Sequence, residues 1–306
     1  MMGRTKEQLL KWYLTYPIFK SFLNPVIDIK RMIAQKKCTP RQEVVKSLRS
    51  LLVQDPVIRV DEFQGIFAVD SHSDLFERIV LDNKYEPVLV RYCKKLINKN
   101  RDVIDVGANV GFFTVMFAKN ICEGKKVLSI EPTRKALKRL YRNIEQNHVQ
   151  ENVIIFEGVA SNITGSVEIK TIDGKEEYSS LGVMDHPAIS KEEYVLEEVK
   201  SLTVDGLVKE YSLDPGFMKV DVEGAEYLVF EGAQCVMETK RPVILSELSD
   251  YLLKQNGSSS QEVMRMVEKY EYDIIDPLHP SIPSGQKDFG DILCVPKELN
   301  FDASNL

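Results

Sequence analysis

The pattern of apolar and polar residues divides the chain into three stretches. Residues 1–50 carry helical spacing: Leu9, Leu10, Tyr13 and Leu14 share one face, and Pro17 and Pro25 interrupt the run. Val44, Val45, Leu48, Leu51 and Leu52 mark a second amphipathic segment. Residues 56–80 read as strands, Val57-Ile58-Arg59-Val60 and Gly65-Ile66-Phe67-Ala68-Val69. A helix is expected from Glu86 to Ile97, with Pro87 suited to its first turn.

From residue 102 onward, short apolar runs alternate with helical spacing. Strands are expected at 102–107, 126–131, 152–157, 217–221 and 242–247, and helices at 112–121, 133–147, 203–211, 225–237 and 260–270. Runs apolar on both faces belong to a parallel sheet covered by helices on both sides. Two late strands, 272–275 and 291–295, have no helix between them, which predicts an antiparallel last strand. Residues 161–202 form an insertion with strand-like ends around a polar segment holding Ser179, Ser180, His186 and Pro187. The predicted organisation is an extension over 1–80 (a cap, a lid or an oligomerisation arm) followed by an α/β domain over 81–306.

The chemistry concentrates at strand ends. Asp105-Val106-Gly107-Ala108-Asn109-Val110-Gly111 is a strand that runs into a glycine turn and then a helix. Glycine permits positive φ and close backbone approach to a ligand, and asparagine tolerates the left-handed region. The turn is expected to aim free N–H groups at that ligand. Glu131 ends the next strand, 20 residues after Gly111, near the offset at which an acid meets ribose hydroxyls. Lys219-Val220-Asp221-Val222-Glu223-Gly224 ends the fourth strand, and Glu247 the fifth. Ligands of open α/β sheets bind at such carboxyl ends.

These positions point to S-adenosylmethionine and methyl transfer. Asp105, Gly107, Asn109, Gly111, Glu131, Glu157, Ala160 and Asp221 are the candidate cofactor-binding residues, with Glu157 and Ala160 on the adenine side. Asp221, Glu223, His186 and Glu247 are the candidates for a general base. Asp221, Glu223 and Glu247 are also the residues that would converge on a magnesium ion, but their spacing does not demand one and none is expected.

Composition narrows the partners. Forty-six acids against 40 bases give a net charge of -6, which argues against nucleic acid. Arg134, Lys135, Lys138, Arg139 and Arg142 have helical spacing and read as a solvated helix face. The five cysteines are scattered, with no Cys-x-x-Cys pair, which disfavours zinc and disulfide frameworks. Cys122, Cys235 and Cys294 are expected in the core. No apolar run is long enough to span a bilayer and no signal peptide stands at the start, so a cytoplasmic location is expected.

Asp105 to Gly111, Ile130-Glu131-Pro132, Lys219 to Glu226 and Tyr85-Glu86-Pro87 together resemble the FkbM family of methyltransferases. The resemblance covers roughly residues 80–295. It implies a Rossmann-like, doubly wound seven-stranded sheet with an antiparallel last strand, S-adenosylmethionine as cofactor, and O-methylation of a hydroxyl on a sugar, glycan or natural product. It maps Asp105 and Gly107 to the methionine end of the cofactor and Glu131 to the ribose. A homo-oligomer through the N-terminal extension is compatible with it. Two other readings compete: a non-catalytic S-adenosylmethionine binder, and an NAD-dependent oxidoreductase, against which the missing Gly-x-Gly-x-x-Gly counts.

Overall fold

The computed structural model describes residues 26–27, 45, 48–52, 54–82, 85–171, 194–279 and 289–301. A small sheet comes first: β1 (Val26–Ile27), β2 (Val57–Val60) and β3 (Gly65–Ala68), in that order. Helices α1 (Asp74–Asp82) and α2 (Pro87–Leu96) follow. The stretch read as strand therefore turns helical at Asp74, where Leu75, Phe76, Ile79 and Val80 take up a helical apolar stripe. This helix runs across the boundary expected at residue 80. The helical reading of residues 1–50 falls mostly outside the described residues; within it Val26–Ile27 is instead a strand, held by parallel pairing with Val57–Ile58, while residues 45 and 48–49 are helical.

The main sheet is built from β4 (Asp102–Val106), α3 (Phe112–Ala118), β5 (Val127–Glu131), α4 (Arg134–Gln146), β6 (Val153–Ala160), β7 (Gly165–Thr171), β8 (Val195–Leu202), α5 (Val204–Glu210) and β9 (Pro215–Val220). It continues through α6 (Glu226–Glu231), α7 (Gln234–Thr239), β10 (Val243–Ser249), α8 (Asp250–Gln255), α9 (Ser260–Lys269), β11 (Tyr272–Ile275) and β12 (Phe289–Pro296). The spatial order is β11-β12-β10-β9-β4-β5-β6-β8-β7. β6, β5, β4, β9 and β10 are mutually parallel, and β12 is antiparallel to both β10 and β11. The strand order reverses between β4 and β9, the place where an open α/β sheet leaves a crevice. The seven expected strands are present. The insertion adds two more, because its β7–β8 hairpin docks β8 parallel to the end of β6.

Alternation along the strands sorts the core into two layers. Val103, Val127, Phe217 and Leu245 face the small sheet and α2–α4, whereas Ile104, Leu128, Met218 and Ile244 face α5–α9. The same period puts Asp105, Ser129 and Lys219 side by side on the first face, since Asp105 is paired in register with both others. The small sheet shares this core: Phe63 and Phe67 pack against Phe112 at centroid distances of 5.2 and 4.3 Å. Its outer edge is occupied by amide side chains of α4. Asn143 accepts from the Ala68 N–H at 2.7 Å, Asn147 accepts from the Ile66 N–H at 3.1 Å, and Asn147 and Gln146 donate to the Ile66 carbonyl.

Two further expectations are corrected. The helix at 225–237 is broken into α6 and α7 at Gly232, where a Cβ would stand 2.1 Å from the Ser161 carbonyl oxygen. Asp205 caps the second half, accepting from the N–H groups of Cys235 and Val236. Of the cysteines expected inside, Cys294 is buried, but Cys122 lies exposed in the loop after α3 and Cys235 on the exposed face of α7, whose core side is Val236 and Met237. Arg139 differs from its basic neighbours on α4: it is nearly buried, with Asp55 and Asp70 both at 2.8 Å.

Candidate functional site

A cavity of about 350 Å³ opens at the carboxyl ends of β4, β5, β9 and β10. That is the size range of small-ligand pockets. One half of its wall is Asp105, Gly107, Asn109, Glu131, Gly158 and Ala160; the other includes Tyr85, Glu86, Lys219, Asp221, Glu223 and Glu247.

The glycine turn is shaped from beneath. Gly107 has φ +77°, and a Cβ there would stand 1.8 Å from the Asp221 carbonyl oxygen, so only glycine lets the two strand ends meet. Asn109 takes φ +49°. The N–H groups expected to be free are committed internally. Gly107 and Ala108 both donate to the Ile130 carbonyl, and Asn109 donates to Glu131 Oε2 at 2.9 Å. Glu131 Oε1 accepts from the Thr133 N–H and hydroxyl at 2.9 and 2.6 Å. Glu131 thus fastens the turn after β4 to the start of α4. Burial raises its pKa, and these hydrogen bonds act against the rise.

Asp105 is fully buried. Its Oδ2 accepts from the Thr114 hydroxyl at 2.6 Å, and its Oδ1 has no hydrogen-bond partner. Burial raises its pKa, opposed by the ammonium of Lys219. Lys219, 5% exposed, is the cation at the centre of the site. Its Nζ donates to Asp221 Oδ2 at 2.9 Å and sits 4.9 Å from the Phe113 ring centroid. Its pKa is raised: burial works against the charged form, but Asp221 and Asp105 outweigh it.

Around Lys219 the acids crowd. Glu247 is pushed up to about 8 by burial and by Asp221, Asp291 and Glu86. Asp291, paired in register with Glu247, is pushed up to about 7 by burial, Glu86 and Asp221. Burial also raises Glu86 and the Tyr85 phenol. Asp221, Glu223 and Glu247 line one cavity, yet among the described residues no three His, Cys, Asp or Glu side chains stand as a metal-holding group.

Two residues escaped the sequence reading as site residues. Glu226 is 2% exposed, accepts from the Gly224 and Val222 N–H groups at 3.1 and 3.3 Å, and leaves Oε2 without a partner. Burial pushes its carboxyl up to about 7. It fixes the β9–α6 loop. Glu86 carries φ +44° directly before Pro87, a backbone state that β-region preference before proline opposes. The one signal for both was their place in the motifs Tyr85-Glu86-Pro87 and Asp221 to Glu226.

Glu157 is corrected. It is exposed and accepts from the Tyr141 hydroxyl at 2.7 Å, outside the cavity. β6 runs to Ala160, three residues beyond the expected end, so Gly158, Val159 and Ala160 form the wall instead. His186 lies outside the described residues.

A model of the methyltransferase FkbM domain matches residues 105–274. The chain belongs to the FkbM methyltransferase family. The family's methyl donor is S-adenosylmethionine, which brings an ammonium and a sulfonium. The cavity fits such a ligand: it is lined with acids, and Asp105 Oδ1 lacks a partner. Among solved structures, the chain is similar to an FkbM methyltransferase from Methylobacillus flagellatus KT, with 17% identity over 64% of this chain and a TM-score of 0.41. The match spans 43% of that protein. It is also similar to the O-methyltransferase from Bacillus cereus in complex with SAH (15% identity, 83% of this chain and 97% of that one, TM-score 0.39). A third is precorrin-6y C5,15-methyltransferase from Geobacter metallireducens GS-15 (12% identity, 69% and 86%, TM-score 0.39). No curated protein matches the chain. Family membership rests on the domain match alone.

Proposed function

We propose that the chain transfers the methyl group of S-adenosylmethionine to a hydroxyl of a sugar, glycan or natural-product acceptor, with Asp221 as the general base. The observation that carries this reading is the Lys219–Asp221 ion pair, at 2.9 Å, in the wall of the cavity that Asp105, Glu131, Glu86 and Glu247 also line. A base belongs where the two reactants meet. When bound, the cofactor supplies an electrophilic methyl group for in-line displacement, and alignment of donor and acceptor supplies much of the rate.

On the donor side, Asp105 would meet the ammonium, Glu131 the ribose hydroxyls, and Gly158 to Ala160 the adenine. Glu131 Oε2 already takes the Asn109 N–H and retains acceptor capacity on the cavity side. On the acceptor side, Asp221 would take the hydroxyl proton while Lys219 holds its carboxylate in place. Glu223 and Glu247 stand in the same wall and are the residues to test against Asp221.

The test is a parallel calorimetric titration with S-adenosylmethionine, S-adenosylhomocysteine and NAD, followed by an acceptor screen that reads S-adenosylhomocysteine release. Binding of the two adenosyl ligands but not NAD, with turnover of a hydroxyl compound, is expected. Binding without turnover across the screen would favour a non-catalytic cofactor binder.

A further inference from the structure

The acceptor half of the cavity holds more carboxyl groups than cations, beyond the need for one base. Glu86, Asp221 and Glu247 line the cavity, Asp291 is paired in register with Glu247, and the four carboxyl groups influence one another. Two cations face them. Lys219 is engaged by Asp221 and the Phe113 ring. Arg78 stands 3.8 Å from Glu86 and over the Tyr85 ring at 4.9 Å. Among the described residues, no cation lies within ion-pair distance of Glu247 or Asp291. The other titratable groups lining this space are Tyr85, Asp105, Glu131, Glu223 and Glu226, with Asp276 acting on Asp291, and none of them supplies a positive charge.

A second observation is independent of this cluster. Glu226 is almost fully buried in the same wall, with Oε2 unpartnered. Leaving a buried carboxyl oxygen unsatisfied is costly, and carboxyl groups crowded in a low dielectric resist ionisation for want of a countercharge. Both are relieved when a cationic ligand enters.

We propose that the acceptor carries a protonated amine beside its reactive hydroxyl, held by Glu86 and Glu247 with Asp221 between them. This rests on the methyl-transfer reading above and narrows its acceptor to amino sugars and related amino alcohols. The amine is a handle and not the methyl acceptor, because a nitrogen held as ammonium has no free electron pair.

The experiment uses the full chain saturated with S-adenosylhomocysteine and titrated with glucosamine, N-acetylglucosamine and glucuronic acid. It is run near neutral pH in two buffers of different ionisation heat. Glucosamine should bind at least about tenfold more tightly than its N-acetyl form, with proton release, and glucuronic acid should not compete. Glu247→Gln and Glu86→Gln, each checked by melting temperature, should shrink that preference and the proton release together. Equal affinity for the neutral sugar, or no binding of glucosamine to the loaded protein, overturns the inference alone. Failure to take up S-adenosylhomocysteine at all would overturn the methyl-transfer reading as well.

Discussion

Single residues in the cavity wall separate into those that shape it and those that react. Glu131 is of the first kind, since three hydrogen bonds tie it to Asn109 and Thr133. Glu131→Ala should therefore weaken S-adenosylmethionine binding at least about tenfold and also lower the melting temperature, because bonds to a charged group contribute about 1.5–3 kcal/mol. Asp221→Asn keeps the shape of its side chain. It should leave cofactor affinity within about threefold and cut turnover about a hundredfold or more, the usual range for a lost general base. Equal losses of both would make Asp221 a cofactor ligand first. Gly107→Ala asks for a Cβ 1.8 Å from a carbonyl oxygen at φ +77°. Denaturant unfolding should register a loss of more than about 2 kcal/mol.

At the scale of elements, the strand-turn-helix at Asp105–Gly111 and the acids at the ends of β5 and β9 were legible because short apolar runs with a polar end leave little choice of where the strand stops, whereas Glu247 lies two residues inside β10, which runs on to Ser249. Glu157 was misjudged for the same kind of reason in reverse. β6 continues through Gly158-Val159-Ala160, and residues this apolar do not mark an end by themselves. The committed N–H groups of the turn were invisible because they depend on the next strand's carbonyl at Ile130, a contact that spacing along one segment does not reveal. Glu226 sits at the first turn of α6, where an acid ordinarily signals nothing more than a helix start. The amide face of α4 was equally hidden, since Asn143, Gln146 and Asn147 read as polar helix positions. Asn143→Ala should strand the Ala68 N–H and the Ala68 and Val110 carbonyls together. The expected cost is more than about 2 kcal/mol, with faster amide exchange in β3.

For the whole molecule, the raised carboxyls set a pH dependence. Glu226 and Asp291 are pushed up to about 7 and Glu247 to about 8, whereas the unfolded chain titrates them near about 4. Between those limits the folded state binds more protons than the unfolded one. Their contribution is thus fully present below the ordinary carboxylate range and is lost as pH rises through about 7 to 8. The ligand-free protein should melt lower near about pH 8.5 than near about pH 6, and Glu226→Gln should flatten that slope. A melting temperature that climbs over this range would mean these acids are ionised in the fold.

The small sheet has a last consequence. A strand at a sheet margin offers its backbone groups to any passing strand, and an unguarded one templates growth into larger assemblies. In β3 those groups are already taken, by amides projecting from a helix that belongs to the main sheet's cover. The helix that follows Glu131 thereby also shields the chain against self-recruitment, so damage to its amide face would surface as precipitation on storage before it surfaced as lost activity.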